Sequence, residues 1–157
     1  MTTPSTTTPS TTPAPMTSIP ADVSEHACSL ARELDALLES VEFVSRYMPR
    51  CPEHAWLREV YEYVEEYHES LEAAITDYPT QSVLPLILGQ ISSTFAPVPS
   101  LLTAMAPFHP QETGVALGYL ATRFDDIITK ALRLGAFLLN APRPCPVPHE
   151  ETTGDAA

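Results

Sequence analysis

Between Tyr78 and Gln111 there is no Asp, Glu, Lys or Arg in 34 consecutive residues, in a chain whose formal net charge is −12. The stretch holds Val83, Leu84, Leu86, Ile87, Leu88, Ile91, Phe95, Leu101, Leu102, Met105 and Phe108. Apolar surface on this scale leaves water, either into the chain's own core or against another molecule. Directly upstream, Glu59 to Glu72 carries six acids in 14 residues. Such a surface is solvated or turned to a basic partner. Any fold of this chain must place these adjoining segments in opposite environments.

Prolines divide the uncharged stretch. Pro85 suits the opening of a short helix with Leu84, Ile87, Leu88, Ile91 and Phe95 on one side. Gly89, Ser92, Ser93 and Ala96 form a small-residue side, which permits close approach. Pro97 ends this helix, and Pro99 and Ser100 begin a second one holding Leu101, Leu102 and Met105, closed by Pro107. Broken in this way, and rich in Ser and Thr, the stretch offers no run of the ~18 apolar residues that a membrane span requires.

Three longer segments have helical periodicity. From Val23 to Met48 apolar residues fall at Val23, Ala27, Leu30, Leu34, Leu37, Val41, Val44 and Met48, alternating four- and three-residue steps. Asp22 and Glu25 stand as a capping box, Ala31, Leu38 and Tyr47 widen the stripe, and Pro49 ends it. From Pro52 to Tyr78 the seam is Leu57, Val60, Val64, Tyr67, Leu71, Ala74 and Tyr78, flanked by Trp56, Tyr63 and Ile75. From Pro110 to Leu139 it is Leu117, Leu120, Phe124, Ile127, Ala131, Leu134 and Leu138. Asp126 and Lys130 are spaced for an i,i+4 pair. Gly114, Gly118 and Gly135 each cost up to ~1 kcal/mol against Ala in a helix, which close helix contact would offset at Gly118 and Gly135.

Three seams and a short broken helical pair predict an all-α fold, an antiparallel four-helix bundle-like domain with disordered tails. The expected organisation is a Thr/Ser/Pro-rich tail over 1–20, a helical domain over 21–141, and a Pro-rich acidic tail over 142–157. Sixteen of the first 20 residues are Thr, Ser or Pro, a composition that cannot bury apolar surface. Met16 offers an alternative translation start. About 120 residues suffice for one core without covalent staples. Three cysteines, Cys28, Cys51 and Cys145, do not make a closed disulfide framework. Cys28 and Cys51 flank about 20 residues of helix, roughly 30 Å at 1.5 Å each, too far to bridge. Reduced thiols and the lack of an export signal point to a cytoplasmic setting.

Twenty acids against eight bases argue against direct nucleic-acid binding, which needs cations to displace counterions, and against anionic membrane surfaces. Glu65 and His68 have the Glu-x-x-His spacing of di-iron bundles, but no second such motif occurs, so neither a metal nor another cofactor is expected. Cys51 and His54 are three apart at a helix start, where a thiolate is stabilised. Cys28 and His26, two apart, point to different faces. Asp125 and Asp126 lack the further acids of a metal–diphosphate motif. No phosphate loop, nucleophile elbow or zinc-protease motif is present, and no enzyme activity is expected.

Two candidate partner-binding surfaces remain. One is acidic: Glu59, Glu62, Glu65, Glu66 and Glu69 with Tyr63 among them. The other is apolar, and serves either a partner or the core: Leu84, Ile87, Leu88, Ile91, Phe95, Leu101 and Met105. The function expected is a protein contact, as adaptor, subunit or regulator, with self-association into a homo-oligomer. An acidic decoy for a basic protein partner and a metal-binding bundle are the alternatives.

Overall fold

A computed structural model describes residues 21–76 and 83–140 of the chain. The expected tails, Met16, Tyr78 and Cys145 lie outside these residues. The described residues are all-α, with no strand among them. The helices are α1 (Ala21–Tyr47), α2 (Pro52–Thr76), α3 (Val83–Phe95), α4 (Val98–Met105) and α5 (Gln111–Asn140), with a 3-10 turn at Ala106–Phe108 between the last two.

The seams become the core. All eight seam residues of the first segment, seven in α1 and Met48 just past its end, and all seven of α5 are buried. In α2, Leu57, Val60, Val64, Leu71 and Ala74 are buried, and Tyr67 packs against the core while partly exposed. Neighbouring helices run antiparallel, as their contacts show. Glu33 of α1 meets Lys130 of α5, while Phe43 and Tyr47 meet Glu112 and Ala116. Leu88 lies over Gly135, Phe95 on Phe124, and Ala106 on Gly114. Thus α3 and α4 together run back along α5 and fill one place in the bundle, with α1 beside α2 on one side and α5 on the other.

An aromatic chain ties three of these places together. Phe95 stands edge-on to Tyr67 (centroids 5.6 Å apart) and to Phe124 (5.3 Å). The Tyr67 hydroxyl hydrogen-bonds the Thr94 hydroxyl at 2.8 Å. Phe95 and Phe124 are the largest fully buried side chains, each worth about 2–3 kcal/mol of burial.

Several local expectations are corrected. Ala21 already belongs to α1, so Asp22 sits in its first turn rather than at its cap. Its carbonyl accepts a hydrogen bond from the His26 ring at 2.6 Å. Tyr47 does not widen the core stripe, being 68% exposed. Pro85 lies within the first turn of α3 instead of opening it, and Pro97 is the cap of α4. Lys130 pairs not with Asp126 but with Glu33 of α1, at 2.6 and 2.7 Å to its two oxygens. A cross-helix carboxylate with both oxygens in reach outcompetes an i,i+4 pair worth a few tenths of a kcal/mol.

The glycines also divide differently. A Cβ at Gly118 or Gly89 would meet nothing within 4 Å, and at Gly135 only the Leu88 Cβ at 3.8 Å. The close approach is at Gly114, where a Cβ would fall 2.8 Å from the Ala106 carbonyl oxygen. The Gly114 amide donates to the Pro110 carbonyl at 2.8 Å, so the corner between the 3-10 turn and α5 is held tightly on both sides.

By length and composition Val83–Phe108 does reach the level of a membrane-crossing helix, with mean hydropathy 1.2 in its best window, which counting apolar runs did not allow. Core helices pass the same test. Here the segment is bent at Ala96–Pro97, with Leu84, Leu88, Ile91, Phe95 and Leu102 in the core.

Candidate interaction surfaces

The acidic surface stands on the outside of α2. Leu57, Val60, Val64, Leu71 and Ala74 turn inward, which leaves Glu59, Glu62, Glu65, Glu66 and Glu69 exposed. Tyr63 is half exposed among them. None of these five carboxylates forms an ion pair among the described residues. The nearby cation, Arg58, lies over the Tyr61 ring at 5.2 Å. The face therefore keeps its negative charge and an aromatic contact in its midst.

The apolar candidates divide. Leu84, Ile87, Leu88, Ile91 and Phe95 are buried in the bundle, and Met105 packs against the core. Leu101 is 45% exposed. Its neighbour Leu102 takes the inward position on α4, as a one-residue step turns a side chain by about 100°. Most of these seven candidates are thus spent on the chain's own core.

The candidates for chemistry do not assemble. The His68 imidazole faces Glu72 at 3.6 Å rather than Glu65. Among the described residues no group of three or more His, Cys, Asp or Glu is set to hold one metal ion. Cys28 and Cys51 are free thiols. The Cys51 carbonyl accepts the His54 and Ala55 amides at 3.0 and 3.3 Å, so Cys51 acts as the start of α2. Its thiol stands by Glu53 and, with the Glu53 amide, holds that carboxyl below its ordinary range. The His109 Nε2 is buried without a hydrogen-bond partner.

A third surface was not among the expected ones. On α1 the residue before each seam residue, and on α5 likewise, turns to the outer groove between these two helices. Glu33, Phe43 and Tyr47 of α1 and Ala116, Lys130, Arg133 and Phe137 of α5 lie along it, and the helical period carries Ala36, Ser40, Tyr119, Arg123 and Asp126 to the same side. Phe43, Tyr47, Tyr119 and Phe137 are each more than half exposed. The Phe43 and Tyr47 rings lie 4.9 Å apart with their planes tilted at 54°, forming a knob at one end. At the other end a groove of about 570 Å³ has Val23, Leu30 and Leu134 in its floor and His26, Arg133 and Phe137 among its walls. The signal was present in the sequence as a second heptad stripe set one residue back from the seam, but mixed with Ser and charged residues it does not read as apolar.

Comparison with protein-family models, curated proteins and solved structures finds no match.

Proposed function

We propose that this chain is a small acidic, non-enzymatic helical protein that acts through protein contacts, as an adaptor, subunit or regulator, and that it self-associates. The observation that carries this reading is the amount of large apolar side chain left outside a filled core. Phe43, Tyr47, Tyr119 and Phe137 on one face, with Leu86 and Phe108 elsewhere, are all more than half exposed. Aromatic residues of this kind are what protein interfaces enrich. The reading includes a cytoplasmic setting, supported by the free thiols of Cys28 and Cys51.

Sedimentation equilibrium of the full chain across micromolar concentrations tests it. A mass that rises with concentration and survives high salt is the expected result. A monomer throughout, with no partner retained from native cells, would refute it.

A second reading, an acidic decoy or docking face for a basic protein, is favoured by the five unpaired carboxylates of α2 around Tyr63. It requires that a partner captured at low salt be lost at high salt. Changing Glu62, Glu65, Glu66 and Glu69 to Gln should abolish that capture, and unchanged binding would end this reading. A metal-binding bundle has less support, since Glu65 and His68 are not brought together.

A further inference from the structure

We infer that the α1/α5 face is where two copies of this chain associate, with the Phe43–Tyr47 knob of each seated in the groove lined by His26, Leu30, Arg133 and Phe137 of the other. The inference rests on the self-association proposed above and assigns it a surface and an arrangement.

Charge selects the face first. Two copies at net charge −12 repel, and the outside of α2 is the worst place for them to meet. Along the α1/α5 groove the acids Asp22, Glu33, Glu112 and Asp126 are nearly matched by Arg123, Lys130 and Arg133. Glu33 and Lys130 neutralise each other directly, at 2.6 Å. Like copies can approach here at little electrostatic cost.

Size agrees. α1 has 27 residues, about 40 Å of helix, and two packed helices present a face about 20 Å wide. The product, on the order of 800 Å², is what each partner of a stable dimer gives up.

Shape then sets the arrangement. A two-fold axis along the helices would lay aromatic on aromatic and leave the groove empty. A two-fold axis across the helices lays α1 antiparallel over α1 and carries each knob onto the other copy's groove. The axis falls midway between knob and groove, at Ala36. The small Ala36 and Ser40 stand there, the latter with its hydroxyl folded back on the Ala36 carbonyl at 2.9 Å, so the backbones can come close. At the same level of α5, Arg123 of one copy faces Asp126 of the other, and symmetry repeats the pair. Arg133, unpaired among the described residues, lies beside the incoming rings, where a guanidinium stacks well.

The test is sedimentation equilibrium of the full chain with Phe43→Glu, with Arg133→Glu, and with Leu86→Glu as a control on an exposed site of α3. Circular dichroism reports the fold of each. The expected result is a dimer for the parent and for Leu86→Glu, and association weakened about 100-fold or more by the first two changes, as for an aromatic or Arg hot spot. With the native cysteines replaced by Ser, Ala36→Cys should form a disulfide with its own symmetry mate under mild oxidation. A parent dimer that persists in folded Phe43→Glu and Arg133→Glu, or that gives no Ala36→Cys cross-link, overturns this arrangement while leaving self-association intact. A monomeric parent overturns both.

Discussion

Gly114→Ala should destabilise this protein, although the same change stabilises most helices. In a helix interior Gly costs about 0.5–1 kcal/mol relative to Ala, through backbone entropy in the unfolded chain. Gly118→Ala should recover that amount, because its new Cβ would meet nothing within 4 Å. At Gly114 the new Cβ would fall 2.8 Å from the Ala106 carbonyl oxygen, which is backbone and cannot turn aside. Relief requires moving the 3-10 turn off α5 or stretching the bond from the Gly114 amide to Pro110. Overpacking of this kind costs about 1–3 kcal/mol. Net of the propensity gain, Gly114→Ala should lose about 1–2 kcal/mol, while Gly118→Ala gains up to ~1. For a domain of this size each kcal/mol is about 4 °C in melting temperature, so the two alanine variants should melt roughly 6–12 °C apart. Thermal and urea unfolding followed by circular dichroism measures this. If Gly114→Ala melts at or above the parent, α5 does not pack against Ala106 as described.

Further outcomes follow from the core and its polar atoms. Phe95→Ala, which empties the centre of the Tyr67–Phe95–Phe124 chain, should cost about 3–5 kcal/mol in urea unfolding. Tyr67→Phe, which removes only the 2.8 Å bond to Thr94, should cost about 1 kcal/mol, and equal losses in the two variants would contradict the packing. Ser45 is buried with its hydroxyl unpartnered, so Ser45→Ala should raise stability by about 1 kcal/mol, and a loss would mean that the hydroxyl has a partner. The Glu53 carboxyl is held low by the Cys51 thiol and by its own amide. Its stabilising contribution is therefore present above the ordinary carboxylate range and lost as pH falls through the lowered folded-state value. Glu53→Gln should remove that part of the acid limb of a stability–pH curve, and an unchanged limb would contradict it.

The bundle was legible because its signal is repeated. From Val23 to Met48 and along α5, eight and seven apolar residues at three- and four-residue steps all entered the core, and one misplaced residue could not have hidden that. What the sequence hid depends on which side of a helix meets which neighbour. Lys130 had a plausible partner four residues away in Asp126, and only the fold brought Glu33 to it across 97 residues. Gly114, Gly118 and Gly135 look alike in the sequence, but a glycine's role is set by what lies opposite, and only Gly114 has backbone there. Leu101 and Leu102 are adjacent and equally apolar, yet only Leu102 turns inward. The acidic face of α2 was readable because nothing among the described residues neutralises it. The aromatic face was not, because its rings are spaced among Ala, Ser and charged residues and belong to helices at opposite ends of the chain.

That last point bears on how the chain folds. The α1–α2 pair can form as a helical hairpin from neighbouring sequence, but the seam that Glu33 and Lys130 fasten joins the first helix to the last. Closing a loop of 97 residues costs about 1.4 kcal/mol more than closing one of about 20. The α1–α5 seam should therefore be among the later ones to close during folding, and the groove beside Leu30 and Leu134 the place where the bundle first opens.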